Sequence, residues 1–282
     1  MTESQRSRRG LSRRRLFESG ALATLGGLLA ACGASSSGGE PGRVGSAPPV
    51  SAQPTVELTD AVFLRTLTSM ELLHLDLYQK VTDSGALDAR GQALIDRFVE
   101  DHRAAAGELL TLTESAGGEP YVCTNDWYER RVVPEILAAV TGDPESDVPA
   151  SDDPAADLLR ISYGFETMMS SSYQKMIELV EDIGLRPPLA RLGAVAARHA
   201  AAVAMLVSGT PEGYVSPVVL GGELTPEEGE RAELFAIPFR FGMLTSTEIV
   251  IGAPDSAGTR SGFALETPAD NAYVYDYYTC QT

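Results

Sequence analysis

The chain has 282 residues, 44% of them hydrophobic and 22% charged, which is the composition of a globular protein rather than a disordered or fibrous one. Its 39 Asp and Glu against 22 Lys and Arg leave a formal net charge of −17 at pH 7, with histidine counted neutral. A surface this acidic repels nucleic acid, which is excluded as a partner, and it gathers cations while keeping the chain soluble.

The first segment carries targeting information and is set aside before any fold reasoning. Ser12-Arg13-Arg14-Arg15-Leu16-Phe17 resembles the twin-arginine export pattern of a Ser or Thr, two Arg, any residue and two apolar ones. The uncharged run over residues 20–31 is shorter than the ~20 apolar residues of a membrane-spanning helix, so it reads as the apolar region of a signal peptide. It ends in Leu29-Ala30-Ala31-Cys32, which resembles the lipobox of bacterial lipoproteins, where the Cys carries a diacylglycerol and the chain is cut just before it. These motifs predict a signal peptide over 1–31, export in the folded form by the twin-arginine machinery, and anchoring through a lipid on Cys32. The membrane is then a partner, and the location is the outer face of the cytoplasmic membrane, in the cell envelope. Residues 1–31 hold six Arg and two Glu, so their removal takes the formal charge from −17 to −21. Residues 32–56 are rich in Gly, Ser, Pro and Ala and cannot bury enough apolar surface to offset the entropy of ordering, so they read as a linker.

Four long segments between residues 57 and 208 show helical periodicity. The first starts at Thr59-Asp60 and places Phe63, Leu67, Glu71, His74 and Tyr78 on one stripe. The second starts near Asp88, aligns Ile95, Phe98, His102, Ala105 and Leu109, and stops at Gly117-Gly118. A connection with Cys123 and the single Trp follows, then a short helix over 133–140. The third long helix opens at Asp153-Pro154, aligns Leu159, Glu166, Met169 and Tyr173, and ends near Gly184. The fourth follows Pro187-Pro188 and aligns Leu192, Val195, His199, Ala202 and Leu206. Two helical hairpins joined by a longer crossover predict a mainly α fold, a four-helix bundle over 57–208. Residues 209–282 change character: runs at 247–251, 262–267 and 273–278 have strand tendency between Gly, Pro, Asp and Asn, predicting a small β-rich extension. Outside the cytoplasm thiols do not stay reduced, so Cys123 and Cys280 are expected to form one disulfide that ties the chain end to the crossover.

An internal repeat marks positions that share a role. Glu71-x6-Tyr78-Gln79-Lys80 is matched by Glu166-x6-Tyr173-Gln174-Lys175, and His102-x-Ala-Ala by His199-x-Ala-Ala. The Glu-to-His separations, 31 and 33 residues, are nearly equal, so each hairpin brings its Glu and His to a similar height. All three histidines fall on these stripes, with His74 three residues after Glu71 on the same face. A carboxylate on an apolar stripe must be paired, protonated or metal-bound, and carboxylates with imidazoles suit iron, manganese or zinc.

This pattern resembles the ferritin-like superfamily over residues 57–208. Its bundles hold two metal ions with a Glu on each of two helices and Glu-x-x-His on each of the others. Glu71 and Glu166 match the single glutamates, and His102 and His199 match the histidines. Val99 and Ala196 stand where a Glu would precede each His by three, and Glu100 and Asp101 are expected to point away from the stripe. The resemblance implies a metal ion, iron first and manganese or zinc as alternatives, held by Glu71, His74, His102, Glu166 and His199 or some four of these. Without the bridging carboxylates, one ion fits the inventory better than two. Tyr78 and Tyr173 are expected to pack behind the ligands and support them, and Met168, Met169 and Met176 to fill the core.

Two function classes follow: a metal-binding, redox-active protein, or a non-catalytic bundle with a degenerate site that serves as an envelope binding or structural module. A cage-forming iron store fits poorly with a lipid anchor, a linker and a long extension. A Ser/His/Asp triad has little support, because every histidine lies on a helical stripe.

Overall fold

The computed structural model describes residues 57–209 and 246–280. The export signal, Cys32 and the linker lie outside the described residues, as does the stretch 210–245.

The first long helix, α1 (Asp60–Asp83), starts where Thr59 accepts a hydrogen bond from the Val62 N–H through its Oγ1. It is buried on nearly every side, including the polar residues Arg65, Thr66, Thr68 and Ser69. The small hydroxyls are tolerated there because each returns a hydrogen bond to a carbonyl of its own helix, as Thr66 does to Val62 and Thr68 to Leu64. The second helix, α2 (Ala89–Ser115), is capped by the Asp88 carboxylate on the Gly91 N–H at 2.7 Å. The third long helix, α5 (Pro154–Leu179), has Asp153 as N-cap and Pro154 in the first turn. A 3₁₀ turn at Ile183–Leu185 leads into α6 (Arg186–Ser208). The crossover between α2 and α5 contains α3 (Asp126–Arg131) and α4 (Val133–Thr141), so the expected short helix is present and a shorter one precedes it.

The helices α1 and α2 pack along each other, as do α5 and α6, and the two pairs meet through α1 against α5 and α2 against α6. The inner face of α6 is carried by Leu192, Ala196, His199, Ala200 and Val203. Val195, Ala202 and Leu206, expected on that stripe, sit half-buried at its margins, because the face follows the position of α5 rather than the average period.

Among the described residues the named strands form one antiparallel pair, β1 (Ser246–Ile251) with β2 (Ser261–Glu266), in register from Thr247 opposite Leu265 to Ile251 opposite Ser261. It lies on α5. Gly164 makes that possible: a Cβ there would come within 2.5 Å of Ile249 Cγ2 and 2.9 Å of Leu265 Cδ1. The buried Asp157 fixes the hairpin's far end, accepting from Ser151 Oγ at 2.7 Å, the Gly252 N–H at 2.7 Å and Arg160 at 2.6 Å.

The expected strand over 273–278 is not one; the segment is irregular, with a turn at 276–277. Its backbone groups are taken by α1 side chains instead of a neighbouring strand. The Val274 N–H donates to Thr66 Oγ1 at 2.9 Å, and Arg65 Nη2 donates to the carbonyls of Tyr275 at 3.2 Å and Tyr278 at 2.5 Å. The expected disulfide is formed: Cys123 and Cys280 have Cα atoms 5.7 Å apart and tie this segment to the crossover.

Candidate metal centre

The stripes of α1, α2, α5 and α6 converge at mid-helix, and there the core turns polar. Glu71 and His74 come from α1, His102 from α2, Glu166 from α5 and His199 from α6, none more than 5% exposed. All five sequence-predicted residues are brought together, and so are Tyr78 and Tyr173.

His102 lies at the middle. Its Nδ1–H donates to Glu71 Oε2 at 2.5 Å and its Nε2–H to Glu166 Oε1 at 2.8 Å, so one imidazolium bridges the two carboxylates. Burial works against that charge, but the carboxylates of Glu166 and Glu71 overcome it and lift the His102 pKa to about 10. Glu166 feels the converse: burial opposes its charge, yet His102 and His199 hold its carboxyl well below the usual range.

The tyrosines are exchanged between the hairpins. Tyr78 on α1 donates to Glu166 Oε1 on α5 at 2.5 Å, while Tyr173 on α5 donates to Glu71 Oε1 on α1. Burial, and then the neighbouring carboxylate, raises both phenols well above their ordinary value, so they remain donors. Gly193 of α6 lets Tyr173 take this place, since a Cβ there would lie 2.8 Å from the Tyr173 Cβ.

His74 differs from the other two histidines. Its Nδ1–H donates to the Met70 carbonyl at 2.7 Å, and burial, followed by the nearby His102 charge, lowers its pKa. It is therefore neutral, with its free lone pair on Nε2. That atom is buried and has no hydrogen-bond partner, and the same is true of Glu166 Oε2. Orphaned buried polar atoms are costly, and two of them in one cluster need an explanation.

One ligand atom each from His74, His102 and Glu166 lies within 4.8 Å of the others, so this buried group could hold a metal ion. Two neutral-capable imidazoles and a carboxylate form a donor set for a borderline divalent ion. Glu71 and His199 touch this trio indirectly, one through His102 and the other through Glu166.

No protein-family model and no curated protein matches this chain. The reading of the site therefore stands on geometry.

Asp101 has a partner that the sequence did not indicate. Expected to point away, it accepts from His199 Nε2 at 3.1 Å through its Oδ2, while Arg97 holds its other oxygen at 2.7 Å. Its carboxyl is held below the ordinary value: the small cost of burial is outweighed by the bonds from His199 and Arg97. Periodicity within α2 could not reveal this, because His199 reaches across from α6. Phe98 likewise stacks on the His199 ring at 3.9 Å, one turn before His102 on the same stripe.

The two halves of the repeat are not equivalent. Where the first half has His74 three residues after Glu71, the second has the buried Met169 three residues after Glu166. Donors are thus concentrated on the α1 and α2 side.

Proposed function

We propose that the chain is a lipid-anchored protein of the cell envelope, held by Cys32 on the outer face of the cytoplasmic membrane. In this reading a ferritin-like four-helix bundle formed by α1, α2, α5 and α6 binds one transition-metal ion. The observation that carries it is the convergence of His74, His102 and Glu166 with the buried His74 Nε2 and Glu166 Oε2 left without partners. His74 and His102 would supply neutral nitrogens and Glu166 an anionic oxygen. Glu71, on the Nδ1–H of His102, would fix that ring's tautomer and orientation, as carboxylates behind metal-bound histidines commonly do. His199 and Tyr78 would hold Glu166 in place. The donor set suits iron, manganese or zinc, and the ferritin-like resemblance favours iron, which would supply a one-electron couple for oxidising or reducing a small reactant. Export in the folded state suits a protein that acquires its ion before it crosses the membrane.

Metal analysis of the purified chain tests this. Near-stoichiometric iron, manganese or zinc, lost in His74→Leu and His102→Gln, supports the reading. Less than about half an equivalent, unchanged by either substitution, would sink it.

One observation favours a second reading. The His102 imidazolium already bridges Glu71 and Glu166, so a proton occupies the position a cation would take. A degenerate site of this kind would leave the chain a non-catalytic envelope binding or structural module, and the same metal analysis separates the two.

A further inference from the structure

A cleft of about 420 Å³ opens between the crossover helix α3 and the C-terminal segment, a volume within the range of ligand sites. None of the metal-centre residues lines it. Its lining sets aromatic rings, Tyr121, Trp127, Tyr273, Tyr275, Tyr277 and Tyr278, among polar groups. Tyr275 and Tyr277 stack with their planes 8° apart, and Tyr278 lies 4.9 Å from Tyr277. Tyr277 is 65% exposed and Tyr278 45%, so these two rings meet water while Tyr275 behind them is buried. Large aromatic rings gathered at the surface mark recognition sites more often than chance exposure does.

The rim narrows the ligand's chemistry. Its charged members are two acids, Asp126 and Asp270, and two bases, Arg130 and Arg131. Asp126 pairs with Arg130 at 2.5 Å, and Arg131 lies over one face of Trp127 at 4.3 Å. These four charges cancel formally, so the lining itself singles out neither an anion nor a cation. The main chain in its wall is committed as well. Arg65 holds the carbonyls of Tyr275 and Tyr278, Asn125 Nδ2 holds that of Ala272 at 2.9 Å, and the Val274 N–H is on Thr66. Peptide recognition by strand addition needs free backbone groups, which these are not. Recognition falls to flat apolar faces and to planar polar side chains.

We propose that this cleft binds an uncharged oligosaccharide. A sugar ring has one face of C–H bonds and an edge of hydroxyls, which matches aromatic faces bordered by carboxylate, guanidinium and the amide of Asn271. The C–H faces would stack on Tyr277 and Tyr278, and the hydroxyls would bond to the rim. The Cys123–Cys280 disulfide and the Arg65 and Asn125 bonds fix the wall in advance, so little ordering cost falls on binding.

Trp127 is the only tryptophan in the chain, so its emission reports this cleft alone. The full chain is titrated with a β-1,4-linked N-acetylglucosamine hexamer, with maltohexaose, with a heparin hexasaccharide and with a decaproline peptide. The expected result is a saturable change with at least one of the two uncharged sugars, with a dissociation constant below about 1 mM. Replacing Tyr277→Ala and Tyr278→Ala together weakens it at least tenfold while the thermal unfolding midpoint stays put, since both rings are exposed. The proposal is overturned if neither uncharged sugar shifts the emission or gives a saturation-transfer NMR signal at ~5 mM. Binding of heparin or decaproline in their place overturns it too, as does a double variant that binds like the parent chain.

Discussion

Replacing His74 by Leu separates the convergent trio from the residues that merely surround it. In the metal-free protein the change removes an orphaned buried nitrogen and one side-chain bond to the Met70 carbonyl, and it fills nearly the same space. The two effects oppose each other, so unfolding free energy should move by no more than about 1 kcal/mol. Metal affinity should respond very differently. Four-ligand structural zinc sites bind with about 10–16 kcal/mol, or about 2.5–4 kcal/mol per donor, so loss of one donor corresponds to roughly two to three orders of magnitude. Glu71→Gln keeps the three donors and disturbs only the orientation of His102, for which a loss of about 10- to 100-fold is expected. Competition titrations of zinc against a chromophoric chelator, on the parent chain and both variants, measure the ordering directly. Zinc bound by His74→Leu as tightly as by the parent, or a larger loss in Glu71→Gln than in His74→Leu, would refute this assignment of donors.

In the metal-free protein, stability should fall on the alkaline side. The His102 pKa of about 10 lies above its unfolded value near 6.5, so its contribution is complete below about pH 6.5 and is lost as pH rises through about 10. Urea unfolding at pH 7 and pH 10 should therefore differ by more in the parent than in His102→Gln, and equal differences would contradict the bridging imidazolium. Gly164→Ala should destabilise the chain by about 1–3 kcal/mol, because its Cβ would drive into Ile249 and Leu265 and push the hairpin off α5. A shift in urea midpoint equivalent to less than about 0.5 kcal/mol would show that the hairpin is not seated there.

Much of the helical architecture was legible in the sequence because its signals are local. Thr59, Asp88 and Asp153 each cap the helix they were expected to start, since a side-chain oxygen on the nearest free N–H groups is decided within four residues. The repeat identified Glu71, His102, Glu166 and His199 because a carboxylate or imidazole on an apolar face has no local reason to be there. The cysteine pair could be assigned because only two cysteines follow Cys32.

What remained was decided by contacts between elements far apart in the chain. Residues 273–278 have the composition of a strand, yet Arg65 and Thr66, some 210 positions earlier, take their backbone groups and leave them irregular. Asp101 lies off the stripe of its own helix, half-buried, and is paired at the edge of the centre by His199 from another. The sequence by itself determined which residues carry the unusual chemistry and which segments coil. Only the tertiary structure decided that His74, His102 and Glu166 converge while Glu71 and His199 stand behind them, because the direction in which a buried donor points is set by the helix packed opposite it.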